Sequence, residues 1–267
     1  MTWKTLPRYE TASGAAYQVC GDGESVVLLH GVGLRAEAWA PQTTALSSRW
    51  RVYAVDLPGH GQSRPLSPRA ELSDYVCWLR DVLADLDVGP VNIAGHSMGA
   101  LISLGIAVEE PAMIRRMAML NGVYKRSAEA SKAVRDRATQ IRCGNMNIQQ
   151  PLDRWFTDMV ADQTARVQTE KMLAGVDPSA YATAYNAFAR GDQTYADRLS
   201  EVRCPALFLT GDGDLNSTGE MAQQMAAAVP DGVTEIIEGH RHMVGLTAPE
   251  AVNNALITWL GREQRAR

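Results

Sequence analysis

VNIAGHSMGALISLGIA, residues 91–107, passes from a short apolar run through a serine held between two glycines into a stretch of small and apolar residues. A run that is apolar on both faces suits a strand buried in a parallel sheet. Gly95-His96-Ser97-Met98-Gly99 then fits G-x-S-x-G, a sharp strand-to-helix turn in which side chains at the glycine positions would collide with neighbouring backbone. In such a turn Ser97 stands strained and exposed at a helix N-terminus. An ordinary helix-capping serine after a strand fits the same letters, so partners elsewhere in the chain must decide.

Further apolar runs end in glycine or a polar residue: 26–29 before His30-Gly31, 52–55 before Asp56, 117–120 before Asn121, 206–209 before Thr210-Gly211, and 235–237. Between them, Leu72, Tyr75, Val76, Leu79, Val82, Leu83 and Leu86 keep the i, i+3, i+4, i+7 spacing of one helix face, stopping near Gly89-Pro90. Strands alternating with helices predict an α/β fold with a doubly wound, mostly parallel sheet. An antiparallel edge hairpin is expected before Gly23. The alternation breaks between about Val123 and Arg203, where the patterns are helical only: one helix over roughly 127–142 closed by Gly144, another capped by Asp177-Pro178, carrying Tyr181, Ala184, Tyr185 and Phe188, and stopped by Gly191. The expected organisation is a core of residues 1–122 and 204–267 with a helical cap, 123–203, inserted between two strands.

The 267 residues are 46% hydrophobic and 21% charged with a formal net charge of −4, which gives no basis for nucleic-acid or anionic-membrane binding. Cys20, Cys77, Cys143 and Cys204 make no CxxC pair, so neither a zinc site nor a disulfide framework is indicated. The polar start MTWKTLPRYE lacks the apolar region of a signal peptide, and no window approaches the roughly 20 apolar residues of a membrane span. The expectation is a cytoplasmic protein whose partner is a small molecule, with no nucleic acid and no membrane.

A serine hydroxyl is a weak nucleophile and needs a base that is itself oriented by a carboxylate. On an α/β turn of this kind the order along the chain is Ser, acid, His. Only His240 and His242 of the five histidines lie after Ser97, just past the last apolar run. Thr210-Gly211-Asp212-Gly213-Asp214 offers two aspartates at the end of another. Acyl chemistry further requires backbone N–H groups aimed at the developing negative charge. Met98, just after the serine, should supply one. Val32, between the glycines of His30-Gly31-Val32-Gly33, should supply the other. A Gly-rich turn after a strand can also cradle phosphate, but neither GxxxxGK[ST] nor GxGxxG is present.

With HGVG at 30–33, DLPGHGQS at 56–63, GHSMG at 95–99, GDGD at 211–214 and HRHM at 240–243 in that order, the chain resembles the α/β-hydrolase superfamily over essentially its full length. The resemblance implies Asp214 as the acid, from G-x-x-D, and His242 as the base, from GxxHM. It makes Asp56 and His60 scaffold residues and His30 an orienting one. Haloalkane dehalogenases and epoxide hydrolases carry aspartate where this chain has Ser97. C–C bond hydrolases of ring-cleavage pathways usually have a longer Gly/Pro-rich loop than GVGLRAEAW. GVGLRAEAWAPQ, DPSAYATAYNAFARGD and CPALFLTGDGDLNST look most like 3-oxoadipate enol-lactonase-like enzymes and related hydrolases of ring-cleavage products. That likeness implies a small carboxylate-bearing ester or enol-lactone cleaved through an acyl-enzyme, with no metal or organic cofactor. An amide, enamide or C–C bond hydrolase and a non-catalytic ligand-binding member of the fold are the alternatives. It also implies basic residues near the pocket. Arg35 is the expected substrate anchor, with Arg126, Arg135, Arg142, Arg154 and Arg190 of the cap as further candidates.

Overall fold

The computed structural model describes residues 6–263. Residues 1–5 and 264–267 lie outside the described residues, and with them half of the polar N-terminal stretch and the end of the second core segment. Eight strands form one sheet: β1 (Tyr9–Glu10), β2 (Ala16–Cys20), β3 (Ser25–Leu29), β4 (Arg51–Val55), β5 (Val91–His96), β6 (Ile114–Leu120), β7 (Ala206–Gly211) and β8 (Gly232–Ile237), in the order β1-β2-β4-β3-β5-β6-β7-β8. The β1–β2 and β2–β4 pairs are antiparallel, and every later pair is parallel. This is the doubly wound, mostly parallel sheet the sequence predicts, with the antiparallel hairpin at its edge.

Strand alternation divides the apolar residues between two layers. Val26, Leu28, Val52, Ala54, Leu207 and Leu209 pack with α1 (Ala40–Leu46) and the last helix. Val27, Leu29, Tyr53, Val55, Ile93, Met117 and Phe208 point the other way, onto α2 (Leu72–Leu86) and α3 (Met98–Glu109). Between β6 and β7 the chain forms α4 (Ala128–Arg142), α5 (Gln149–Trp155), α6 (Gln163–Ala174) and α7 (Pro178–Gly191) with short 3-10 turns. After β7 come α8 (Gly219–Ala228), α9 (Val244–Thr247) and α10 (Pro249–Leu260), the last supplying Val252, Leu256 and Trp259 to the first layer. Asp177 caps α7 as its sequence suggests, its Oδ1 accepting the Ala180 N–H at 2.8 Å. Ile141, Leu152, Phe156, Leu173 and Tyr181 of the inserted helices join the apolar cluster of the second layer, so these helices share the core of the sheet.

Two loops at the carboxyl ends of β3 and β4 are tied by a buried ionic knot. Asp56, fully buried, accepts the Ala36 N–H at 2.7 Å and the Gln62 N–H at 3.1 Å. Arg8 reaches from the chain start to donate its Nε to Asp56 at 2.7 Å and both terminal nitrogens to Glu37, at 2.9 and 2.6 Å. A Cβ at Gly61 would sit 2.1 Å from the Asp56 carboxylate, so only glycine lets that loop fold over the charge. The knot fixes the spatial relation of residues 30–37 to residues 56–63. Removing one partner of such a buried pair leaves uncompensated charge, at a cost of about 3–5 kcal/mol. Arg8→Met should therefore lower the unfolding free energy by about that amount, read as a fall in the urea midpoint with unchanged slope; a loss near zero would mean the knot is not coupled to folding.

Candidate active site

The β5–α3 turn is as tight as its letters imply. Ser97 has φ 54° and ψ −111°, a left-handed conformation that costs a non-glycine residue about 1–3 kcal/mol. A Cβ on Gly95 would lie 2.0 Å from the Gly99 carbonyl oxygen, and one on Gly99 2.3 Å from the Leu29 carbonyl oxygen. Both obstacles are backbone and cannot move aside. The Ser97 N–H donates to the Leu120 carbonyl at 2.9 Å, pinning the turn to the end of β6. As the first residue of α3, Met98 has an N–H with no partner inside the helix.

Asp214 and His242 meet although 28 residues separate them: Nδ1 of His242 lies 2.7 Å from Oδ2 of Asp214, with both side chains buried. Asp214 also accepts the Asn216 and Ser217 N–H groups on Oδ1, at 2.9 and 3.2 Å, and the Asn121 amide on Oδ2 at 2.8 Å. Burial works against its charge, yet His242, the Asn216 amide and Asn121 together hold the carboxyl below the usual carboxylate range. The two rejected candidates have other tasks: Asp212 accepts the Gly239 N–H at 2.8 Å, and His240 pairs with the Thr247 hydroxyl at 2.9 Å. Asn121, in a left-handed conformation just after β6, is a site residue that the sequence reading passed over.

Three further histidines hold backbone. His30 Nε2 accepts the Leu57 N–H at 2.9 Å while its Nδ1 donates to the Gly31 carbonyl. His60 Nε2 accepts the Gly33 N–H at 2.9 Å while its Nδ1 donates to the Pro58 carbonyl. Each ring thus locks the other ring's loop, and His60 fixes the glycine that follows Val32. His96 Nε2 donates to the His242 carbonyl at 2.9 Å. Burial, and a neighbouring histidine, push His30 and His96 down to about 3, and burial lowers His60 as well, so all three rings are neutral near pH 7.

Ser97 and His242 line one cleft with Gly31, Val32 and Leu34 from the core and Arg126, Arg137, Arg154, Trp155, Tyr181, Tyr185 and Phe188 from the inserted helices. Its empty volume is about 720 Å³, open solvent at the mouth included. Met98 is fully buried beneath the turn. Arg126 is a buried wall residue. Its Nη1 lies 3.0 Å from Asp192 Oδ1, its guanidinium stacks 4.4 Å from the Phe188 ring centroid, and its Nη2 is buried without a hydrogen-bond partner. Arg137, missed in the sequence, donates to the Asn147 carbonyl at 2.8 Å from the cleft wall.

The structure places Arg35 elsewhere: it is not among the residues lining the cleft, and its Nε lies 3.3 Å from Glu37 Oε2. Gly33, at φ +80°, turns the chain so that Leu34 faces the cleft and Arg35 runs extended into the next 3-10 turn. Of the other cap arginines expected as anchors, Arg126 and Arg154 line the cleft and Arg135, Arg142 and Arg190 do not. Among the described residues no group of three or more His, Cys, Asp or Glu side chains is placed to hold a metal, and no helix is long and apolar enough to cross a membrane.

The model of the alpha/beta hydrolase family matches residues 26–255. An (E)-2-((N-methylformamido)methylene)succinate hydrolase of Acinetobacter baylyi is 49% identical over 246 residues, covering 92% of this chain and 94% of that protein. Among solved structures, a thermophilic esterase from Thermogutta terrifontis has a TM-score of 0.85 at 23% identity, covering 96% of this chain and 98% of its own. The enol-lactonase from Burkholderia xenovorans has a TM-score of 0.84 at 24% identity, covering 96% of this chain and all of its own, 100%. At such identities the structural likeness shows the fold.

The buried rings make a prediction about acid stability. In the unfolded chain histidines take up protons near their usual 6.5, whereas His30 and His96 resist until about 3. Their contribution to stability is therefore complete above 6.5 and is lost as pH falls from there toward 3. Each of these two rings should cost about 2 kcal/mol of unfolding free energy between pH 7 and about pH 5. Urea titrations at those two values would show it; equal midpoints would mean that the rings are charged in the native protein.

Proposed function

The chain belongs to the alpha/beta hydrolase family and is a hydrolase, and from that premise we propose that it cleaves the acyl–nitrogen bond of a small dicarboxylate N-acyl enamide. The name of the 49% identical relative describes such a molecule, a succinate dianion bearing a formamide nitrogen through a methylene double bond. The observation that carries the proposal is the arginine lining of the cleft that holds Ser97. Arg126, Arg137 and Arg154 face a small space, and Arg126 buries an Nη2 donor that no protein group satisfies. A buried donor left unpaired costs about 1–3 kcal/mol, and a carboxylate is the acceptor a guanidinium fork fits best.

The proposed reaction assigns each group one task. His242, held by Asp214 with Nδ1 bonded to the carboxylate, takes the Ser97 proton on its other nitrogen. Ser97 Oγ attacks the acyl carbon, and the N–H groups of Val32 and Met98 receive the oxyanion. Collapse breaks the C–N bond, with the imidazolium returning its proton to the departing nitrogen. That nitrogen is conjugated through the double bond to a carboxyl group, which makes it a better leaving group than an ordinary amine. Water, deprotonated by His242, then releases the acyl group from Ser97. An ester or enol-lactone bearing a carboxylate would pass through the same steps with an oxygen leaving group.

Three matched substrates separate the readings: an N-formyl enamide dicarboxylate, a carboxylate-bearing ester or enol-lactone, and a neutral short-chain ester. The enamide is expected to have the highest kcat/KM, with Ser97→Ala lower by at least about 10⁴-fold. Arg126→Gln should raise KM for the dicarboxylate by about 10–100-fold and leave the neutral ester within about twofold, which also reports that the variant is folded. Preference for the lactone would restore the reading first drawn from the sequence. Preference for the neutral ester would make the protein a general esterase, and activity surviving Ser97→Ala would remove the acyl-enzyme altogether.

A further inference from the structure

Two consecutive residues of the inserted helices meet two consecutive residues of the His242 loop. The indole of Trp155, last residue of α5, stacks on the His242 ring with centroids 5.4 Å apart and planes 28° from parallel. Beside it, the guanidinium of Arg241 donates through Nη1 to the carbonyls of Phe156 at 2.7 Å and Asp153 at 3.1 Å. These are carbonyls at the C-terminal end of α5, where a helix lacks internal donors and favours a cation. Nothing in the Ser-His-Asp chemistry requires either contact.

We propose that Trp155, held in place by the Arg241 clasp, is a positioning residue for the base: its π face keeps the His242 ring turned toward Asp214 and favours the imidazolium that forms as the Ser97 proton arrives. A cation within about 6 Å of an indole centroid is attracted by the ring quadrupole, most strongly where water is excluded. The imidazole has other charged or titratable surroundings. Asp214 holds Nδ1, the ring of His96 lies 4.9 Å away, centroid to centroid, and Arg126, Arg137, Arg154 and the phenols of Tyr181 and Tyr185, kept neutral by burial, line the same cleft. His96 is neutral through its burial, and the arginines disfavour a second cation. Trp155 and Asp214 are thus the two neighbours that support the imidazolium, one on its face and one on its edge. The clasp also gives α5 a reason to stay closed over the site, since Arg241 adjoins the base in the chain and Trp155 follows Arg154 of the cleft wall.

The inference rests on Ser97 and His242 acting as nucleophile and base, and its test must not depend on which substrate is natural. A fluorophosphonate meets that need: Ser97 Oγ displaces fluoride at phosphorus, its proton passes to His242, and the rate of labelling reads the base directly. Rates would be measured from about pH 5 to 9 for the wild type, Trp155→Phe, Trp155→Leu and Arg241→Met. Leucine keeps an apolar cover but has no π face. Its pH midpoint should fall by about half a unit and its plateau rate by about threefold or more. Phenylalanine should restore most of both, and Arg241→Met should move in the direction of leucine by a smaller amount. A Trp155→Leu profile with the wild-type midpoint and plateau would overturn the inference and leave the hydrolase reading intact. A wild-type Ser97 that is not labelled at all would sink the nucleophile assignment, and this inference with it.

Discussion

The arrangement depends on one close approach. The N-terminal turn of α3 runs so near the ends of β3 and β5 that Gly99 abuts the Leu29 carbonyl and Gly95 abuts the Gly99 carbonyl. No side chain fits at either place, so the chain between them must make its turn at Ser97 in a left-handed conformation. That strain persists because the surroundings leave no alternative: the Ser97 N–H is tied to β6 and both flanking glycines are wedged against backbone. The same approach brings the end of β3, and with it the His30–Gly33 loop, alongside the serine. A Cβ on Gly31 would stand 3.1 Å from that of Ser97. One steric constraint thus sets both the hydroxyl and the loop that faces it.

Neutral imidazole then does work that few other side chains could do. His30 and His60 each donate from one nitrogen and accept a backbone N–H on the other, crosswise between the two loops. A charged ring would lose the accepting nitrogen, so complete burial, which disfavours the charge, is the condition for the bond. Asp56, Arg8 and Glu37 reinforce the same pair of loops with ionised groups. His242 differs from the other buried rings in having a carboxylate on Nδ1. That single contact separates it from rings whose described bonds go to backbone. His96 links the two kinds, since it is neutral itself and holds the backbone carbonyl of His242.

What could be read in the sequence was what close-range sterics had written there. Glycines at 95 and 99, the strand-end aspartates and the order Ser, Asp, His are local signatures, and the sheet follows from apolar runs of strand length. Choosing Asp214 over Asp212 and His242 over His240 needed the family likeness, because two residues along a loop cannot be told apart by spacing. The structure gives the physical difference: Asp212 and His240 are used up by the turn and by Thr247. Arg35 misled because its position in the chain, just past a Gly-rich loop, does not fix its direction, which Gly33 and Glu37 determine. Arg137 was illegible for a related reason. It sits on a helix whose amphipathic pattern shows that one face is covered but not by what, and only the packing of α4 against α7 brings it to the cleft.

Arg126 shows how stability and chemistry are balanced in the free protein. Its guanidinium is stripped of water, partly offset by Asp192 and the Phe188 ring, and left with one donor unsatisfied. Burial pulls its pKa down while Asp192 acts the other way, but a guanidinium does not give up its proton under ordinary conditions. The folded chain therefore carries a cost that apolar residues in place of both Arg126 and Asp192 would avoid. Proteins retain such costs where function needs the group. A rigid, desolvated cation has little left to lose on meeting an anion, in water exclusion or in side-chain freedom, so attraction to a carboxylate is offset less than at an exposed arginine. Arg154, exposed on the same wall, lacks that advantage. The cleft wall thus carries two physically different cations, one stripped of water at Arg126 and one in contact with it at Arg154.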